Sequence, residues 1–163
     1  MLNQTFNLKI RNVPIENIDE GFQVIWDTFY EYVAPDYTQE GIDCFYSEFI
    51  KGKEFRKKFI DGLEVMYGAY IDDELVGVLS ISVMNKVSCL FVKGKYHRLG
   101  IGKKLFENVI EELKQRGVTE IRLNASPYAV PFYHAIGFQD TDMQLSYKGI
   151  LYTPMVLSLD RYL

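Results

Sequence analysis

The chain has 163 residues and a mass of 19.0 kDa, which suits one core of ordinary size, so residues 1–163 are expected to form a single domain. A composition 48% hydrophobic and 15% aromatic with only five prolines excludes collagen-like, low-complexity and disordered classes. The formal net charge of −4 speaks against a general nucleic-acid binder, and no apolar run approaches the ~20 residues of a membrane-spanning helix. The opening Met1-Leu2-Asn3-Gln4-Thr5 lacks a basic stretch leading into an apolar one, so a cytoplasmic protein is expected. Cys44 and Cys89 are too few for a disulfide scaffold and read as reduced thiols. With only two histidines beside them, no metal site is expected.

The elements follow from periodicity. Phe6–Arg11 alternates as a short strand. Pro14 and the acids Glu16, Asp19 and Glu20 open a helix whose stripe is Phe22, Ile25, Trp26, Phe29 and Val33, ended by Pro35. A second helical stretch covers about 38–50, with Ile42, Phe45, Phe49 and Ile50 on one face, and a short basic helix follows Gly52. Val65–Ile71 and Leu75–Val83 then read as a hairpin, and Val87–Val92 as a third strand. Ile101–Arg116 is a helix in which Ile101, Leu105, Val109 and Leu113 recur every four residues, capped by Gly117. Thr119–Asn124 is a strand, about 128–136 a short helix, and Phe138–Tyr147 and Ile150–Leu159 two closing strands. Pro154 in the last argues for an edge or a bulge. Meandering strands pair antiparallel, and a strand–helix–strand crossover implies a parallel pair. The expected fold is therefore mixed α/β, a mostly antiparallel sheet of six to seven strands with helices on both faces.

The charge is segregated. Asn12 to Ile50 holds nine acids and no Lys or Arg, while Lys86 to Lys104 holds six bases and no acid. The basic stretch surrounds a glycine loop at the start of a helix, where Gly100 and Gly102 leave the backbone open to a ligand. Unpaired amides and the positive end of the dipole there suit a phosphate or pyrophosphate, with Arg98, Lys103 and Lys104 adding charge. The loop is neither a Walker A sequence nor a Rossmann fingerprint.

His97-Arg98-Leu99-Gly100-Ile101-Gly102 resembles the Q/R-x-x-G-x-G/A signature of the GNAT superfamily of N-acetyltransferases, with Leu90-Phe91-Val92 at the usual distance before it. Phe132-Tyr133-His134-Ala135-Ile136-Gly137-Phe138 resembles the second hallmark of that family. The resemblance is specific over about residues 64–138. It implies an acetyl-CoA-binding fold in which the amides of Leu99, Gly100, Ile101, Gly102 and Lys103 hold the pyrophosphate, with Arg98 reaching a phosphate. The pantetheine arm is expected along a bulged strand at Leu90, Phe91 and Val92, and either Asn124 or Ser126 bonds it. Tyr133, one of 12 tyrosines, takes from the motif the role of general acid that protonates the CoA sulfur. His97 and Gly94 depart from the residues usual at their positions.

The resemblance thus implies an acetyl-CoA-dependent N-acetyltransferase that passes the acetyl group directly to a primary amine of a small molecule or peptide. A non-catalytic acyl-CoA-binding sensor or assembly module is the alternative. Val87–Val92 carries no carboxylate, so the general base is left open, with Glu31 and Glu48 as candidates. His134 and Cys89 read as structural. The acceptor is expected against the acidic, aromatic stretch holding Trp26, Tyr30, Tyr32, Tyr37, Phe45 and Tyr46, which suits a cationic amine. Metals, nucleic acid and membrane are not expected as partners, and the oligomeric state is open, with a homodimer as one option.

Overall fold

The computed structural model describes residues 7–161. The readings of Met1–Thr5 and of Phe6 fall outside them. The strands are β1 (Leu8–Asn12), β2 (Glu64–Ile71), β3 (Glu74–Ser82), β4 (Lys86–Val92), β5 (Glu120–Ala125), β6 (Gln139–Asp140), β7 (Leu145–Tyr147) and β8 (Ile150–Ser158). The α-helices are α1 (Ile18–Thr28), α2 (Gln39–Phe45), α3 (Lys53–Ile60), α4 (Ile101–Gln115) and α5 (Val130–Ala135).

The sheet runs β1-β2-β3-β4-β5-β8-β6, with β7 also on β8. Every pairing is antiparallel except β4 with β5. The β2–β3 turn is tight because Asp72 and Asp73 both take left-handed backbone, φ 48° and 67°, which aspartate tolerates in two-residue hairpins.

Helices cover both faces, as the sequence predicts. On one face Leu105, Phe106, Val109 and Leu113 of α4 and Tyr133 of α5 pack on Leu79, Ile121 and Leu123. On the other, Phe22 and Ile25 of α1 and Phe55 and Phe59 of α3 pack on Met66 and Val78. The predicted helix over Phe22–Val33 is α1 followed by a π-helical turn at Phe29–Val33. Trp26 lies outside the two main cores, stacked on Phe29 and tilted against Tyr46.

Two expectations need correction. The predicted strand 138–147 is two short strands, which brings the described sheet to eight. Gln139 and Asp140 pair with Val156 and Met155, whereas Leu145 pairs with Tyr152, so residues 141–144 hold two more residues than the partner strand. Asp142 turns back there to accept from the Met143 amide at 2.7 Å. Pro154 is also not on an edge, since β8 lies between β5 and the β6/β7 pair. Its carbonyl accepts from the Thr141 amide at 2.9 Å. A strand residue's N–H and C=O point the same way, so the missing N–H faces the break between β6 and β7, where no ladder bond is lost.

Candidate active site

β4 and β5 pair only at Lys86↔Arg122 and Val87↔Leu123. Beyond that β4 is bonded to β3 alone and β5 to β8 alone, so the two strands part and a cleft of about 1210 Å³ opens between them. A bulge helps turn β4 away: Ser80 pairs with Cys89 and Ile81 with Val87, leaving Ser88 without a β3 partner. The sequence places the bulged part at Leu90–Val92. The structure puts the bulge at Ser88, ahead of Cys89, and leaves Leu90–Val92 as regular strand with a free edge toward the cleft.

Alternation divides β4 between the two faces of the sheet. Leu90 and Val92 face the α4 side, whereas Cys89 and Phe91 face the side of α1 and α3. Just past β4, a ring nitrogen of His97 lies 2.5 Å from the Val92 carbonyl and its ring lies tilted against Tyr32, with centroids 4.6 Å apart. This folds the loop back over the end of the strand.

The loop then enters α4 through left-handed backbone at Arg98 (φ 63°) and Gly100 (φ 78°). A side chain on Gly100 would meet no protein atom within 4 Å but would carry the strain of positive φ. Its surroundings are therefore open to whatever occupies the cleft. A Cβ on Gly102 would stand 3.2 Å from the Phe132 ring, so the second glycine brings α4 against α5. The first-turn amides of Ile101, Gly102 and Lys103 lie at the cleft with no carbonyl to bond within the helix. Arg98 and Lys103 line it beside them.

Of the residues predicted for the site, Leu90, Phe91, Val92, Arg98, Gly100, Ile101, Gly102, Lys103, Asn124, Ser126 and Tyr133 all line the one cleft. Leu99 does not: its side chain is exposed to solvent, which leaves only its amide available for the role the motif implies. Asn124 and Ser126 line the cleft together, so both alternatives are retained.

Tyr133 is 5% exposed and fixed edge-on against Phe106 at 5.9 Å and Phe138 at 5.4 Å. No hydrogen bond among the described residues ties down its hydroxyl. Burial, then the nearby Cys89, raises its pKa well above the usual phenol range, so it stands as a protonated donor. Burial also pushes the Cys89 thiol up to about 11. His134 is exposed and bonded to Asp140 at 2.7 Å, outside the cleft lining.

The acidic, aromatic stretch contributes less than its composition suggests. Tyr32, Tyr37 and Phe45 line the cleft, but Trp26 and Tyr46 line a separate surface hollow, and Tyr30 is 62% exposed. Among the nine acids only Glu48 reaches the cleft. Asp19 pairs with Arg56, and Glu48 is itself 3.6 Å from Lys148. The hairpin of β7 and β8 closes this end: Tyr147, Ile150 and Tyr152 line it, and the Tyr37 hydroxyl donates to the Leu151 carbonyl at 3.3 Å. Gly41 and Gly149 touch backbone to backbone, where a Cβ on Gly41 would lie 2.3 Å from the Gly149 carbonyl oxygen.

A carboxylate that sequence reasoning passes over also lies here. Glu64 lines the cleft yet is only 6% exposed. It opens β2 one residue before the predicted strand and sits on the same face as Met66. Burial raises its pKa, opposed by a bond from Ser88 and the charge of Lys58. A charged residue at a strand start reads as solvated, and only the alternation with Met66 hints otherwise.

The acetyltransferase (GNAT) domain family matches residues 33–159, and the chain belongs to that family. The fold is shared with the PaiA N-acetyltransferase of Thermoplasma acidophilum, solved in complex with coenzyme A. That structure is 23% identical, covers 93% of this chain and 99% of its own, and superposes with a TM-score of 0.73. A GCN5-related N-acetyltransferase from Rhodopseudomonas palustris, 19% identical, covers 97% of this chain and 98% of its own with a TM-score of 0.81. Among curated proteins, the uncharacterized YyaT of Bacillus subtilis (strain 168) is 25% identical over 76 residues, which is 47% of this chain and 51% of that relative. The match thus spans about half the length of the relative.

Proposed function

We infer that the protein is an acetyl-CoA-dependent N-acetyltransferase, a single domain over residues 1–163, that transfers the acetyl group directly to a primary amine of a small molecule or peptide. The observation that carries this reading is the cleft between β4 and β5. In it a helix start with Arg98 and Lys103, a free strand edge at Leu90–Val92 and the buried hydroxyl of Tyr133 lie together. Each part matches one portion of acetyl-CoA. The pyrophosphate sits on the amides of Leu99 to Lys103 and on the α4 dipole. The pantetheine amides add to the β4 edge as a further strand would, with Asn124 or Ser126 bonding from the opposite wall. A β4 amide at Leu90 then meets the thioester oxygen and stabilises the charge that develops there.

In the reaction the neutral amine attacks the acetyl carbon, the C–N bond forms and the C–S bond breaks. Tyr133 gives its proton to the leaving thiolate, and burial suits it to that task because it stays protonated at neutral pH. The nitrogen's surplus proton restores the phenol. The acceptor enters past Tyr37, Phe45, Phe49 and Tyr152, an aromatic wall with Glu48 in it, which favours an amine carried on an apolar body. No helix among the described residues is long and apolar enough to cross a membrane, and the free Cys44 and Cys89 suit a reducing cytoplasm. No group of residues that could hold a metal occurs among the described residues, and none is needed for this chemistry.

Acetyl-CoA turnover against a panel of polyamines, aromatic amines, amino acids, aminoglycosides and peptides tests the reading. It expects CoA-thiol release with at least one amine through a ternary complex. Acetylation confined to neutral or anionic non-amine acceptors contradicts it.

A further inference from the structure

We propose that Glu64 is the terminal proton acceptor for the acceptor amine, working through the hydroxyl of Ser88. The proposal rests on the acetyltransferase reading and supplies the base that β4 lacks.

The geometry comes from the bulge. Because Ser88 has no β3 partner, it is released from the alternation of β4 and its side chain lies over the opening of β2. Its hydroxyl donates to the Glu64 carboxylate at 2.9 Å. Behind it the Ser80 hydroxyl bonds Ser88, and Ser80 and Cys89 Sγ are 3.0 Å apart. Of these contacts the one with a fixed direction is that of Ser88, whose hydroxyl donates to the carboxylate. Glu64 is thus the acceptor at the end of the chain, the role that an ionised carboxylate fills. Ser88 is exposed to the cleft while Glu64 behind it is buried, so an amine reaches the serine oxygen and not the carboxylate.

A structural role alone does not account for this arrangement. A carboxylate at the first position of a strand is free to turn toward water at no cost. Here it is held inside, with no salt bridge and a single hydroxyl donor among the described residues, and the desolvation this entails is unfavourable. The charged groups that line the same cleft are Glu48 from the turn after α2, Lys58 from α3, Lys86 from β4, and Arg98 and Lys103 near the start of α4, with His97 between. The charge of Lys58 favours the ionised Glu64, and Glu64 in turn holds the Cys89 thiol toward its neutral form.

The proton balance closes. An incoming ammonium gives one proton to Ser88 Oγ as Ser88 passes its own to Glu64. The free amine attacks the thioester, Tyr133 protonates the thiolate and recovers a proton from the new amide nitrogen, and Glu64 releases the remaining proton to water. Base strength rises with pKa, so a raised carboxyl is a better acceptor than an ordinary one, provided the pH is high enough to ionise it. Activity must accordingly rise with pH through the Glu64 ionisation.

The test is the pH profile of kcat/KM for the wild-type protein, Glu64→Gln, Glu64→Asp and Ser88→Ala. Coenzyme A affinity by calorimetry and thermal melting are recorded on each as checks of folding. The expected result is a fall of about a hundredfold at neutral pH for Glu64→Gln with CoA affinity unchanged. The acid limb should move up toward the free amine's own ionisation, so that the deficit shrinks at high pH. Glu64→Asp should recover part of the rate with an acid limb below neutrality. Ser88→Ala should lose about tenfold while keeping Glu64 in place. A folded Glu64→Gln protein that binds CoA and keeps the wild-type rate and acid limb overturns the assignment and leaves the acetyltransferase reading standing. A wild-type protein that binds CoA and turns over no amine overturns both.

Discussion

Tyr133 and Cys89 show how the same burial gives two residues different standing. Both line the cleft and both are pushed toward their neutral forms. For a phenol that donates a proton this is useful. For a thiol it is disabling, because only the thiolate is nucleophilic. With its thiol held up to about 11 by burial, Cys89 should react slowly with iodoacetamide at pH 8. After incubation with acetyl-CoA, intact-protein mass spectrometry should find no acetyl group on it. Cys89→Ala should keep activity within a few-fold, and a stable acetyl adduct on Cys89 would replace direct transfer with a two-step route. Tyr133 was legible in the sequence because a motif surrounds it. Glu64 was not, because its hydrogen-bond partner Ser88 is 24 residues away and turned by a bulge that no local pattern announces.

At the scale of elements, the proposed recognition of the cofactor falls to α4 and β4. Their boundaries were readable: the four-residue recurrence from Ile101 and the glycine pair fix where the helix starts, and its first turn is where a diphosphate belongs. Gly100→Val places a branched side chain at φ 78° in a space no protein atom fills. Isothermal titration should find CoA affinity lowered by at least about tenfold, with strain at the turn adding ~1–2 kcal/mol to the instability of the fold. Unchanged affinity would mean that the pyrophosphate does not approach this turn. The elements that misled were those whose periodicity is interrupted by tertiary pairing. Residues 138–147 alternate well enough to read as one strand, but the two surplus residues between β6 and β7 depend on the register of β8. Trp26 likewise packs against Phe29 and Tyr46 in a smaller aromatic cluster and not in the main core that its helical spacing suggested.

Over the whole molecule, the opposed charge of the two segments resolves unequally. In the basic stretch Lys86, His97, Arg98 and Lys103 face the cleft, while Lys93 is taken up by Glu74 at 3.2 Å. In the acidic stretch Glu48 alone faces it, and the remaining acids lie elsewhere on the surface. Attraction of the cofactor should therefore depend on salt more than attraction of the acceptor does. Raising ionic strength from ~0.1 M to ~1 M shortens the Debye length from ~10 Å to ~3 Å, and the Kd for coenzyme A should weaken several-fold while the KM of a monoamine acceptor shifts little. The reverse pattern would restore the acidic face as the acceptor's guide. The architecture itself, a mixed sheet with helices on both faces, was legible throughout, because strand–helix order and alternation determine it. The pocket between diverging strands was legible only through the family motifs.

In the proposed reaction the β4–β5 cleft binds acetyl-CoA and Tyr133 sends its proton to the departing thiolate. The most direct measurement is the single-turnover rate of acetyl transfer to a reactive amine by wild-type protein and by Tyr133→Phe, each saturated with acetyl-CoA. Tyr133→Phe is expected to bind the cofactor as tightly as wild type and to transfer about a hundredfold more slowly. An unchanged transfer rate in the Tyr133→Phe protein would contradict it.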